Sequence, residues 1–429
     1  MTAEIAVFNS TAIALAADSA ATTGSKIYNS AEKLFELTKH HPVGVMIYNN
    51  SSICGAPWEL VIKSYRRQLE DKSFSTLAEY SDDFFEYLSK NESIVTPEMK
   101  KRRIEEIFAT ELGAIVDETN NIDIVNFMQT RKEEPTFDVF YSILSRKLEA
   151  RIEELNNNKF LVGFDEDDID TVRSDLSESI MYITNIIVAK EPEADIPHKL
   201  SELIKDYLSR LICKNSNCNI YSGIVFAGYG DDEYYPSLIN VNILGIYKNK
   251  VLIHLDMEKL VTNGKHCAII PFAQDEEVIS FIEGCNNSIR DFTIALTNEI
   301  ITRAKNHIED NVIQYISPTD REGVLASLTQ LWPQLLTDFL HKRNTFVREN
   351  QVDKVISMLS SLSKNDLAYM AESLVNLTAF KRKVSNEHDT VGGPIDVAVI
   401  SKGDGFIWVK RKHYFKPELN QNFLNRNKG

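Results

Sequence analysis

Apolar and polar residues alternate along Thr2–Phe8 and again along Ala12–Asp18, which predicts two strands joined by a short turn. Lys33–Leu37 and Val43–Tyr48 predict a second pair. After the break at Gly55-Ala56-Pro57 the period changes, and Leu60, Val61, Ile62, Tyr65 and Leu69 form a stripe at helical spacing. From about residue 74 to 212 the chain reads as helical and charged, with Lys101–Leu112, Phe137–Leu155 and Leu200–Leu211 as its clearest segments. Asn156-Asn157-Asn158 and Asp165–Asp168 read as loops or helix starts. Strand character returns at Asn219–Ala227, Ser237–Ile246, Val251–Asp256 and Cys267–Phe272. Helices are predicted from about Asp275 to Ile308 and across residues 318–380, the last opened by the cap-like Ser363-Lys364-Asn365-Asp366. Ile395–Ile400 and Phe406–Val409 predict a closing strand pair around Lys402–Gly405. Strands at both ends with helices between them imply one core divided by insertions.

The balance of 47 Lys and Arg against 62 Asp and Glu gives a net charge of −15, which argues against wholesale binding to nucleic acid or to an anionic membrane. No basic, apolar leader opens the chain, and no run is long enough to span a bilayer. Five scattered cysteines, Cys54, Cys213, Cys218, Cys267 and Cys285, fit a reducing cytoplasm. The spacing of Cys213 and Cys218 is loose for zinc, and neither a metal nor a cofactor is expected.

The first hairpin carries the candidate chemistry. A three-residue loop, Asn9-Ser10-Thr11, sets Ile5 against Leu15 and Val7 against Ile13, and in that register Thr2 lies opposite Asp18. A two-residue loop would set Ile5 and Val7 against alanines and put Asp18 on the other face, so side-chain pairing favours the first arrangement. Once Met1 is removed, Thr2 is the first residue. Its hydroxyl then has a base built in, because a free α-amine titrates at about 7.7–8.0. An ammonium group nearby would favour the developing alkoxide, and a carboxylate would hold that ammonium in place. Lys33 is the candidate cation and Asp18 its orienter; threonine with the N-terminal amine is a recognised variant of the nucleophile–base pair.

The run Leu15-Ala16-Ala17-Asp18-Ser19-Ala20-Ala21-Thr22, followed by Lys33-Leu34-Phe35, resembles the opening of proteasome β subunits and the HslV-type peptidase. Thr2 precedes Asp18 by sixteen positions, as the nucleophile precedes the acid in those families. The lysine comes one position earlier than in their common pattern. Ile224–Gly230 with Pro236-Ser237-Leu238, and Thr390–Ile400 ending in Gly405-Phe406, are similar to their central and C-terminal strands. The matching blocks cover fewer than half the chain. The resemblance implies Thr2 as nucleophile with Asp18 and Lys33 as electrostatic partners. It places Thr22 on the substrate-pairing strand and Asn49 near the oxyanion-hole donor. Where the family has a serine-glycine pair, this chain reads Pro271–Asp275 with no serine; His388 or Asp389 stands in for a further aspartate.

The expected fold is α+β, an αββα four-layer sandwich of the Ntn-hydrolase type with helical insertions. Residues 2–71, 213–309 and 363–415 would form the core, 72–212 and 310–362 the insertions, and 416–429 a tail. The expected activity is that of an N-terminal threonine amidohydrolase, a cytoplasmic peptidase forming an acyl-enzyme on Thr2. A catalytically inactive scaffold or assembly subunit and a small-molecule amide acylase are the alternatives. The resemblance implies a polypeptide or peptide substrate, a homo-oligomer, and an unfoldase or assembly partner.

Overall fold

The computed structural model describes residues 3–23, 26–188, 196–216, 218, 220–255, 267–384, 392–413 and 415–420. Strands β1 (Ala3–Phe8) and β2 (Ile13–Ala17) lead into β3 (Ala21–Thr23), β4 (Lys26–Tyr28), β5 (Leu34–Glu36), β6 (Val43–Tyr48), β7 (Ser52–Ile53) and β8 (Ala56–Pro57). Helices α1 (Trp58–Leu69), α2 (Leu77–Lys90), α3 (Pro97–Glu118), α4 (Val125–Arg131), α5 (Phe137–Asn157), α6 (Glu166–Asp175), α7 (Ser177–Ile187) and α8 (His198–Cys213) follow. Next come β9 (Ser222–Gly228), β10 (Ser237–Tyr247), β11 (Lys250–Leu255) and β12 (Ala268–Ala273). The chain continues through α9 (Glu276–Glu283), α10 (Asn287–His307), α11 (Pro318–Val347), α12 (Asp353–Leu359) and α13 (Lys364–Val384), and then β13 (Asp396–Ser401) and β14 (Gly405–Lys410). The architecture is α+β with antiparallel sheets, and the chain divides into two compact units, Met1–Leu34 with Asn263–Gly429, and Phe35–Thr262. Among the described residues no helix is long and apolar enough to cross a membrane.

In the first unit β12, β1, β2, β13 and β14 form one sheet in that order. Helix α13 lies on it, burying Leu367, Ala368, Ala371, Leu374 and Val375 against Ile5, Val7, Ala14, Ala16 and Val397. The alanines on both sides let helix and sheet approach closely, and the spacing of the helical set is that of a single apolar stripe. Ser363 and Asp366 cap the helix reciprocally, with Asp366 N donating to Ser363 Oγ and Ser363 N to Asp366 Oδ2.

The β1–β2 register differs from the expected one. Ile5 faces Ala16, Val7 faces Ala14 and Glu4 faces Ala17, so the two-residue loop Ser10-Thr11 closes the hairpin. The cause is Asn9, which is fully buried. Its Oδ1 accepts from Thr11 N (3.0 Å) and Thr11 Oγ1 (2.7 Å), closing an Asx turn, while its Nδ2 donates to the carbonyls of Leu359 (3.0 Å) and Leu362 (2.9 Å). Large residues therefore sit opposite small ones, which evens the layer on which α13 rests.

In the second unit β11, β10, β9, β6 and β5 form a sheet in that order. Val45, Ile47, Ile224, Phe226 and Val241 of one face pack with Trp58, Val61 and Tyr65 of α1 and Tyr80 and Phe84 of α2. Helices α3, α5, α6, α7 and α8 enclose a further core that includes Phe108, Leu112, Leu144, Leu148 and Leu208. The Asp165–Asp168 run is the capping box of α6. A bulge in β10 between Ile243 and Gly245 leaves the Leu244 carbonyl outside the ladder. Arg103 of α3 satisfies it, with Nε donating to Leu244 O (2.7 Å) and Nη2 to Ile220 O (2.6 Å), and so ties the helical core to the sheet.

Candidate functional site

The observed register brings Ala3 beside Asp18, whose own N–H donates to Ala3 O (3.1 Å). Asp18 is buried just beyond the end of β2 with both carboxylate oxygens occupied. Oδ1 accepts from Ala3 N (3.2 Å) and from Lys33 Nζ; Oδ2 accepts from Ala20 N (3.3 Å) and Gly392 N (2.9 Å). A carboxylate offers about four lone-pair positions. All four are spoken for, so the direction of the Asp18 carboxylate is fixed.

Lys33, immediately before β5, is buried between two acids. Its Nζ bonds Asp18 and lies 3.3 Å from Glu4 Oε1, with side-chain exposures of 5% for the lysine and 0% for each acid. The contact with Asp18 is a hydrogen bond, and the one with Glu4 is an ion pair. Two carboxylates held against one lysine fix its direction. Glu4 is the member the sequence reading missed. It is the sole charged residue in a strand buried along its whole length, and a charge in such a position was the available signal.

The segment after α13 completes the setting. Ser19 N donates to Gly392 O (3.2 Å), Ala31 N to Ser19 O (3.1 Å), and the Ser19 hydroxyl to Pro394 O. Gly393 has φ +77°, and a Cβ there would meet Asn29 Cβ at 2.9 Å, so both conformation and space call for glycine.

The structure thus joins Asp18 and Lys33 directly. Thr2, His388 and Asp389 lie outside the described residues. Thr22 stands on β3, paired with Ile27 of β4. Asn49 belongs to the second unit, at the end of β6, with left-handed φ 68° and its Nδ2 donating to Tyr221 O (2.9 Å). The expected pairing of Thr2 with Asp18 across the hairpin is corrected, because the register sets Ala3 against the acid. Among the described residues no group of three or more His, Cys, Asp or Glu side chains is placed to hold a metal ion.

No protein-family model matches the chain, and no curated protein matches it. Among solved structures, Anbu (ancestral beta-subunit) from Yersinia bercovieri aligns over 99% of this chain and 94% of its own, at 8% identity and a TM-score of 0.28. A superposition that loose carries no argument about fold or chemistry. The membership expected from the opening and closing motifs, in the proteasome β-subunit and HslV-type hydrolases, is therefore corrected: those motifs are short blocks of similar sequence, and no comparison extends them to a family.

Proposed function

We propose that this chain is an amidohydrolase that uses Thr2 as its nucleophile once Met1 has been removed. One observation carries the reading: the amide that joins Ala3 to Thr2 donates to Asp18, the same carboxylate that bonds the buried Lys33. An ion pair enclosed this way is costly to build and contributes little net stability, so a chemical role accounts for it better than a structural one.

With every lone pair of Asp18 engaged, the base must come from elsewhere, and the terminal amine of Thr2 is the group of suitable pKa. The amine takes the proton of the Thr2 hydroxyl as its oxygen attacks an amide carbonyl. An N–H of Lys33 stabilises the alkoxide, and a backbone donor receives the charge that develops on the carbonyl oxygen. Collapse expels the amine product, which takes the proton, and leaves an ester on Thr2. Water activated by the same amine then hydrolyses the ester. The β3–β4 ribbon carrying Thr22 offers a strand edge to an extended chain, which favours a peptide substrate over a small amide. We place the reaction in the cytoplasm on the strength of the scattered free thiols, and a folded substrate would require an unfolding partner.

Purified chain, confirmed by N-terminal mass spectrometry to begin at Thr2, is treated with a β-lactone. Addition of one inhibitor mass to the wild type and none to Thr2→Ala is the expected result. A preparation that turns over peptides while retaining Met1, or a Thr2→Ala chain with wild-type turnover, rules the mechanism out. A processed chain that neither labels nor hydrolyses supports the non-catalytic scaffold instead.

A further inference from the structure

Helices α10 and α11 are 21 and 30 residues long, and neither has a buried residue. They contact each other, with Leu328, Trp332, Leu336 and Phe339 half-buried, yet Leu331 (41%) and Leu335 (40%) of α11 stay open. At about 100° per residue, Asp320, Leu331, Leu335, Asp338 and Lys342 fall within about 60° of one another on the helix surface. Isolated helices are marginal in water, and a helix gains most of its stability from what packs on its apolar positions, on this face Leu331 and Leu335.

The charges say what fits. The first turns of α11 are acidic, with Asp320 and Glu322, and the last are basic, with Lys342 and Arg343. Asp320 and Lys342 are equally far from Leu331, eleven residues or roughly 16 Å on either side at 1.5 Å per residue. Residues 287–347 hold six Lys and Arg against seven Asp and Glu, a net of −1 in a chain of −15. This is a surface on which two copies of an acidic protein can meet without strong repulsion.

We propose that α11 packs antiparallel on α11 of a second copy, about a two-fold axis at Leu331. Each Asp320 then faces the other copy's Lys342, twice per dimer, and the two Leu331 side chains meet at the centre. The contact is isologous and closes at two copies. Parallel pairing would set acid on acid and base on base.

The test is sedimentation equilibrium on the full chain, with far-UV circular dichroism confirming that each variant is folded. The wild type should reach twice its 48.8 kDa mass at micromolar concentration. Asp320→Lys and Lys342→Asp should each weaken the dimer by about tenfold or more. Leu331→Glu, which sets two carboxylates on the axis, should give monomer. An equimolar mixture of the two charge variants should recover the dimer, because every cross-copy pair is then again of opposite sign. A wild type that stays monomeric at tens of micromolar, or a mixture no heavier than its components, overturns the proposal. The readout is mass, so the outcome is independent of whether Thr2 is a nucleophile.

Discussion

Replacing Lys33 with methionine keeps an unbranched side chain, one heavy atom shorter, and removes its charge. The loss falls on two carboxylates whose side chains have no exposure, Asp18 and Glu4. Removing one partner of a buried ion pair costs about 3–5 kcal/mol, most of it the penalty of stranding the other charge. The two acids should not share that penalty equally. Asp18 keeps three backbone donors, from Ala3, Ala20 and Gly392, and hydrogen bonds to a charged group contribute roughly 1.5–3 kcal/mol each. Glu4 loses the cation that stands 3.3 Å from its Oε1. Adding Glu4→Gln to Lys33→Met should therefore recover about 1–2 kcal/mol, whereas adding Asp18→Asn should recover less, because the new amide group turns N–H against N–H donors. Equilibrium urea unfolding followed by circular dichroism gives the totals, and hydrogen exchange of the β1 and β2 amides gives the local value. A cost below about 1 kcal/mol for Lys33→Met, or a better rescue from Asp18→Asn than from Glu4→Gln, refutes the reasoning.

Asn9→Ala should cost about 2–4 kcal/mol in the same unfolding assay, since it strips donors from two buried carbonyls and opens the Asx turn. Gly223→Ala would put a Cβ 2.0 Å from the Tyr48 ring and displace a hydroxyl that bonds Asn240 and Asn242, for a loss of roughly 1–3 kcal/mol; Tyr48→Ala in the same chain should remove the clash term, readable as non-additivity. Burial holds the His254 imidazole down at about 4, below its ordinary 6.5. The unfolded chain therefore binds the proton first, and the stability from the neutral ring is complete above pH 6.5 and is lost as pH falls toward 4, by up to roughly 3 kcal/mol. His254→Asn should flatten that part of the acid-stability curve.

Short apolar runs are enough to place β1, β2, β6, β10 and β13, which are buried over all or nearly all of their length, and helical spacing finds α1, α5, α8 and α13, because each of these helices buries a periodic stripe. The hairpin register is not legible the same way. Pairing large aliphatics across strands is a local rule, and here a side chain reaching carbonyls 350 and 353 positions away outweighs it. Asp18 and Lys33 stand out from the residues around them, while Gly392 N and Ala20 N could not, since a backbone donor leaves no mark in the sequence. Glu4 could have been flagged by its isolation among apolar neighbours. The family assignment is corrected because its motifs are short blocks at strand ends and turns, which cover fewer than half the chain, and no family model and no curated protein matches the chain.

The hydrogen bond from Gly392 to Asp18 spans 374 positions, and that has a consequence for biosynthesis. A ribosome makes the acid early and its last donor almost at the end. Through most of translation that carboxylate is not yet fixed, with β13 still unmade. The chain's own C-terminal strands act as the latch, and truncation after α13 should leave Asp18 without its Gly392 donor, readable as faster hydrogen exchange of the β1 and β2 amides.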